Sequence, residues 1–318
     1  MQRRSLLAIP AIALSSPALA FPERSVVIIV PFAAGGSTDI AARLIAERLS
    51  VALSVRFVVE NRTGAGGAIG SEAVKRAAPD GHTLLMASAS THGANPAVFR
   101  DLPYDAVADF APIALTGITP LALAVPPSGP ADVAGLRAAL ADERGSYGSA
   151  GAGSITHLAG ELFLARTGLR AAHIPYRGGA PALEALARAE VTFALDTLAG
   201  LAGPEGGGRI RLIGMGVAGR VSTHPALPSL EEQGVAPFDL STWNALLAPR
   251  GTPPERLAVL ARSVHAALAE PALAARLTGL GVGVPEPTGP EATARFIAAE
   301  VGKFHAIAAG AGLRLERS

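Results

Sequence analysis

Two stretches of this chain carry the residue types that hold an anion through the backbone. One is Gly35-Gly36-Ser37-Thr38-Asp39, which follows the apolar run Val26–Val30 and opens a helical pattern. The other is Ser149-Ala150-Gly151-Ala152-Gly153-Ser154, which runs into a helical pattern carrying His157. Glycine-rich turns leave N–H groups uncovered and a helix N-terminus adds partial positive charge, so each joint is suited to an anion. Ser37 or Thr38 can cap the first helix, and Asp39 suits the positive end of its dipole; a well-capped strand–helix connection is the plainer reading of the same residues. In the second joint Ser149 and Ser154 add hydroxyls, and His157 is either a ligand contact or a cap. Tyr176-Arg177-Gly178-Gly179 opens the next helix with bare backbone, and Arg177 either pairs with a carboxylate or lies on the surface. Asp196 ends an apolar strand, where a carboxylate needs a partner. Placed on two separate lobes, the two joints make a clamp for a small acid.

Other chemistries find little support. Gly64-Ala65-Gly66-Gly67-Ala68-Ile69-Gly70 looks like a dinucleotide fingerprint, but its third glycine falls one place late and the loop does not directly join strand to helix. Gly35-Gly36-Ser37-Thr38 lacks the lysine of a phosphate-binding loop. No Gly-x-Ser-x-Gly elbow surrounds Ser37, Ser149 or Ser154, and the histidines show no metal-ligand spacing. There is no cysteine, which excludes disulfides, thiolate zinc sites and cysteine nucleophiles. No catalytic residue, metal or cofactor is predicted.

The elements that must position these joints alternate strand and helix. Val26–Val30, Arg56–Glu60 and Thr83–Ala87 read as strands, with a helix over Ile40–Leu49 and another ending near Ala78. From Pro120–Val125 the logic repeats: strands Gly145–Ser149, Ala171–Ile174, Val191–Leu195 and Arg209–Met215, a helix from Ser154 and one over Ala180–Ala189. Asp239–Ala248 leads back to a helical tail of Pro254–Leu268, Pro271–Leu277 and Pro290–Ala309. Such alternation predicts an α/β fold of mainly parallel sheets flanked by helices, with ligands at the C-terminal strand ends.

Residues 1–20 read as a cleavable signal peptide: Arg3 and Arg4, an apolar run from Leu6 to Leu14, and Ala18-Leu19-Ala20 as the cleavage site. The paired arginines also resemble a twin-arginine export signal. With Lys+Arg 27 against Asp+Glu 26, the charge is nearly balanced and gives no footprint for nucleic acid. No later stretch reaches the roughly 20 apolar residues of a membrane span. A soluble protein outside the cytoplasm is predicted.

The assembled motifs resemble the Bug/TctC-like extracytoplasmic solute-binding receptors of tripartite tricarboxylate transporters. Pro22 to Asp39 is similar to that family's opening strand and Pro-Phe-x-x-Gly-Gly-x-Thr-Asp loop. Val58–Gly70, Pro79–Leu85, Asn95-Pro96, Leu102–Asp105, Asp109-Phe110, Gly148–Leu158, His173–Gly178, Trp243 and Ala248–Pro253 follow its pattern in register. Ala33-Ala34 replaces the commoner proline-containing pair, and Pro204–Gly208 departs from the usual turn.

The resemblance implies a type II-like periplasmic binding protein: two lobes, a ligand cleft between them, no enzymatic activity, a small carboxylate as ligand and membrane transporter subunits as partners. Residues 21–121 with 245–318 would form one lobe of a monomer and residues 122–244 the other. Carried over by position, the ligand contacts on the first lobe would be Gly35, Gly36, Ser37, Thr38, Ser88 and Ser90. Asp39 would cap the helix or orient water. Contacts on the second lobe would be Ser149, Gly151, Ser154, His157, Tyr176 and Gly178, with Asp196 selecting a ligand that bears an ammonium or hydroxyl. Two alternatives stand beside this reading: an exported serine hydrolase using Ser149 or Ser154 with His157, and a ligand-presenting partner of a signalling sensor.

Overall fold

The computed structural model describes residues 21–141, 145–286 and 289–310. Residues 1–20, read above as a signal peptide, and the last tail residues, 311–318, lie outside the described residues.

Strand β1 (Val26–Val30) is almost wholly buried, as suits a β-branched run at the centre of a parallel sheet. It pairs in parallel with β2 (Phe57–Asn61) and β3 (Thr83–Ser88). Helix α1 (Ser37–Leu53) buries Ala41, Leu44, Ile45 and Leu49 along one stripe. Helix α2 (Ala68–Lys75) ends sooner than predicted, because the chain must leave helical geometry ahead of Pro79. After β3 come a π-helical turn, Ser90–Ala94, and the short α3 (Asn95–Val98).

The largest difference from the sequence reading is β4 (Phe110–Val125), a strand of 16 residues where only its last part was predicted. Pro112, Gly117 and Pro120 read as interruptions. In the sheet, register shifts between Pro112 and Ala114 and between Leu115 and Gly117 absorb two of them. Phe110–Pro120 pairs antiparallel with β9 (Ser241–Pro249). Leu121–Val125 pairs antiparallel with β7 (Phe193–Thr197) and β8 (Arg211–Met215). The strand therefore changes partners at Pro120–Leu121.

In the second half α4 (Val133–Ala139) precedes β5 (Gly145–Ser149), which is parallel to β6 (Ala171–Pro175) and β7. Helices α5 (Ile155–Thr167), α6 (Gly179–Ala187) and α7 (Leu198–Gly206) follow β5, β6 and β7. The sheet order is β2-β1-β3-β9-β4-β7-β5-β6, with β8 also on β4. The result is a two-lobed α/β fold, parallel at both ends, joined by an antiparallel middle that the sequence reading did not place.

One hydrophobic core runs along the same side of both halves, from Ile29 and Leu85 through Trp243 to Tyr147, Phe163 and Phe193. The other side is covered in two pieces. Helices α1, α8 (Pro254–Leu268) and α9 (Pro271–Gly279) cover the first half, and α6 and α7 the second. Helix α10 (Pro290–Gly310) lies on the continuous core, tied down where Trp243 Nε1–H donates to Glu300 Oε2 at 2.9 Å.

Candidate ligand-binding site

The loops after the parallel strands meet around a small pocket between the halves. The first half supplies Phe32, Gly36, Ser37 and Thr38, then Ser88 and Ser90 after β3, and Thr242 on β9. The second supplies Ala150, Ile155 and Thr156, then Gly179, Asp196 and Thr197. The N-termini of α1, α5, α6 and α7 thus converge on one space. Each helix end contributes partial positive charge, worth about 0.3–1 kcal/mol toward an anion and more when partly buried. Gly36 and Gly178, at the N-caps of α1 and α6, bring no capping side chain. Among the described residues Asp196 is the one charged side chain lining the pocket.

Asp39 stands behind the first turn. Its Oδ2 accepts from Gly35 N–H and Arg43 Nε–H, each at 2.9 Å, and its Oδ1 accepts from Asn61 Nδ2–H at 2.9 Å. Burial opposes its ionisation, but the bonds from Arg43, Gly35 and Asn61 outweigh it and hold its pKa below the ordinary carboxylate value. The carboxylate is fully engaged in shaping the turn. Gly35 is held there with a positive φ and does not line the pocket.

The hydroxyls divide into those already in use and those free to bind. Ser90 Oγ accepts from Ile155 N–H across the halves at 3.0 Å, and Thr156 Oγ1 accepts from Ala150 N–H at 2.8 Å. Thr38 Oγ1 accepts from Asn244 Nδ2–H at 3.3 Å. Ser88 Oγ is buried against the pocket without a hydrogen-bond partner. Such an orphan costs about 1–3 kcal/mol unless something fills the site.

Asp196 is buried, and its Oδ1 accepts from Thr197 N–H at 2.7 Å and from the Thr197 hydroxyl at 3.3 Å. Burial pushes its pKa up to about 6, the Thr197 bonds pulling part of the way back. Its Oδ2 lies toward Gly179, where a Cβ would come within 2.8 Å.

The other predicted contacts of the second half stand behind the pocket or at its rim. Ser154 Oγ donates to Gly151 O at 2.7 Å and accepts from His157 N–H at 3.2 Å, the N-cap of α5. Ser149 Oγ accepts from Gly151 N–H at 3.1 Å and meets His173 Nε2 at 2.7 Å. The ring of His157 is buried, with Nδ1 accepting from Gly153 N–H at 3.1 Å. Gly151 and Tyr176 line an adjoining outer hollow, together with Gly64–Gly67 and the exposed Arg177. Gly178 lies where the halves touch: Ala33 N–H donates to Arg177 O at 3.2 Å, and a Cβ at Gly178 would come within 2.9 Å of Ala33 N. A Cβ at Gly66 would likewise overlap the Ala152 carbonyl oxygen.

Several lining residues escaped the sequence reading. Thr156, Thr197 and Thr242 are isolated threonines without periodic signal, although Thr197 follows Asp196 and Thr242 precedes Trp243. Phe32, Ala150 and Ile155 line the space with backbone and apolar surface, which no motif flags.

The hydrolase alternative is overturned. The Ser154 proton is directed to a backbone carbonyl and not to the His157 ring. The Ser–His contact that does form, Ser149 with His173, is half-buried and lies behind the pocket, since neither residue lines it. The amides beside it are spent, Ala150 N–H on Thr156 Oγ1 and Gly151 N–H on Ser149 Oγ, so no oxyanion hole forms there.

Two α/β halves with their strand-end loops around a hydroxyl-lined pocket have the architecture of the periplasmic solute-binding proteins. The sequence profile of the tripartite tricarboxylate transporter family receptor matches residues 41–313, and the chain belongs to that family. Three solved structures share the fold closely. The periplasmic binding protein BugD is 32% identical with a TM-score of 0.89, covering 93% of this chain and 100% of its own. Rpa4515 of Rhodopseudomonas palustris, determined with adipate, is 34% identical with a TM-score of 0.88, covering 92% and 99%. MatC of the same organism, with bound malate, is 32% identical with a TM-score of 0.87, covering 90% and 99%.

Proposed function

We propose that the protein captures a small organic acid outside the cytoplasm, after export directed by residues 1–20, and delivers it to a membrane transporter of the tripartite tricarboxylate type. The carrying observation is the convergence of four helix N-termini on a pocket whose one charged side chain is Asp196. Such a site neutralises a carboxylate with dipoles, amides and hydroxyls. Binding closes the halves, with Gly36–Thr38, Ser88 and Ser90 contributed from one side and Thr156, Gly179 and Thr197 from the other. The hinge lies where β4 changes partners and the chain returns at Leu240–Ser241. That puts residues 241–244 with the first lobe and not with the second, to which the sequence reading of 21–121 with 245–318 and 122–244 assigned them. A ligand touching both lobes shifts the population toward the closed form. Adipate and malate, bound by the two R. palustris relatives, set the size class to be tested first. Asp196 favours an acid that also carries a hydroxyl or ammonium donor.

The test is a thermal-shift and calorimetric screen of mono-, di- and hydroxycarboxylates on ligand-stripped protein, since a ligand of the folded state raises the melting temperature. Ser88→Ala is expected to weaken the binding found by roughly 10- to 100-fold, the loss of one charge-assisted hydrogen bond. The unliganded fold should keep or gain stability, because an orphaned hydroxyl is removed. Failure of every carboxylate to bind would overturn the reading. Uptake of the ligand unimpaired by deleting the gene would instead favour a signalling partner.

A further inference from the structure

Behind the pocket, β5, β6 and α5 bring together titratable side chains that ligand contact does not use. The imidazoles of His157 on α5 and His173 on β6 lie face to face, with ring centroids 3.9 Å apart and planes 6° from parallel. Tyr147 on β5 stacks on His173 at 4.9 Å, and Phe193 on β7 stacks on Tyr147 at 5.5 Å. Each imidazole grips the turn between β5 and α5. Gly153 N–H donates to His157 Nδ1 at 3.1 Å. His173 Nε2 meets Ser149 Oγ at 2.7 Å, and that oxygen also takes the Gly151 N–H. The turn places Ala150 on the pocket wall and starts the helix that presents Ile155 and Thr156. Facing the pair are Tyr147 and Ser149 from β5, Phe193 from β7, the Gly153 amide, and Glu161 one turn further along α5. Glu161 takes the Tyr147 hydroxyl at 2.5 Å and lies 3.9 Å from His157 Nε2.

A ring nitrogen that accepts from an amide has its lone pair in use and carries no proton. Protonating His157 at Nδ1 would set two donors against each other and cost the turn its bond to the ring. Two cationic rings 3.9 Å apart would also repel, so the pair titrates as a coupled unit. We propose that the His157–His173 stack is a positioning device for the Gly151–Ser154 turn, and that proton uptake by the pair in acid loosens the turn and releases the ligand. The release clause rests on the proposed binding function; the loosening clause does not. Burial holds His157 down at about 4. Burial and the neighbouring His157 hold His173 at about 4, against the pull of Glu161. The stack thus stays neutral and the turn firm through the neutral range.

The experiment follows imidazole nitrogens and the Gly153 amide by NMR in the ¹⁵N-labelled, unliganded protein as the pH falls, with His157→Gln alongside. Glutamine keeps a polar side chain that does not titrate. In the native protein the Gly153 amide is expected to move with the His157 ring at a shared midpoint near about 4. In H157Q the same amide should stay flat. A ring that titrates near its ordinary value, or a Gly153 amide that ignores the ring, overturns the proposal, and the native protein alone decides this even where H157Q folds poorly. Calorimetry with adipate and malate then compares neutral pH with the midpoint. The native protein should lose at least about tenfold more affinity than H157Q, one pK unit of linkage. Titration of the acids and of Asp196 is common to both proteins and cancels. Equal losses would overturn the release clause. Absence of binding at neutral pH would overturn the proposed function while leaving the NMR result standing.

Discussion

Asp196→Asn should make the unliganded protein more stable at neutral pH and no more stable in acid. Burial raises this carboxyl from 3.8 to about 6, so the unfolded chain releases its proton first as pH rises. The folded state loses stability over that interval, and at about 1.4 kcal/mol per unit the loss reaches about 3 kcal/mol above it. Below the unfolded value the group is protonated in both states and the penalty vanishes. Asparagine keeps an oxygen for the Thr197 N–H, now 2.7 Å from Oδ1, without a charge to bury. Urea unfolding of native and variant protein, each at neutral pH and near the unfolded value, measures the difference. A gain of about 3 kcal/mol at neutral pH that disappears in acid is expected. The same gain at both pH values, or none at neutral pH, would refute burial of the charge as the cause. Ligand binding separates from stability in the same variant: an acid carrying a hydroxyl or ammonium should bind more weakly, and an unsubstituted one no worse.

Gly179→Ala gains helix propensity of up to about 1 kcal/mol at the start of α6 but directs a methyl toward Asp196 Oδ2. Calorimetry should find carboxylate binding reduced at least about tenfold, about 1.4 kcal/mol, with thermal unfolding little changed. Ser154→Ala removes the α5 cap and should cost about 1 kcal/mol in unfolding free energy, because the side chain serves the helix. Asp39→Asn removes charge-assisted bonds to Arg43 and the Gly35 turn. Its carboxyl is held low in the fold, so that stability is present at neutral pH and lost as pH falls through the folded value. Urea melts of native and D39N protein should therefore converge in acid.

The sequence made the outer strands and their glycine turns readable, because each depends on neighbours within a few residues, whereas Asp39, expected to cap the helix or orient water, instead braces the Gly35 turn with Arg43 and Asn61. Val26–Val30 is apolar throughout, and Gly35–Asp39 contains both the turn and the carboxylate that braces it. What it hid depends on distant partners. The length of β4 was masked by Pro112, Gly117 and Pro120, of which the first two are absorbed by register shifts against β9 and the third falls where the strand changes partners. Ser154 and His157 looked like ligand groups since hydroxyl and imidazole beside glycines signal exposure, yet one caps α5 and the other stacks on His173. That stack joins residues from β6 and α5, and no spacing announces it. Thr242 reaches the pocket only because β9 returns there.

The backbone contacts between the halves bear on how ligand choice can be altered. The halves meet where Ala33 N–H donates to the Arg177 carbonyl and where bare glycines lie against main chain at Gly66 and Gly178. These depend on the chain's path and not on which side chains line the pocket. Recognition and latching are therefore separable parts. On the proposed function, exchanging Ser88, Thr156, Asp196 or Thr242 would retune which acid is held, while the main-chain contacts between the halves would carry over unchanged to a redesigned sensor or scavenger.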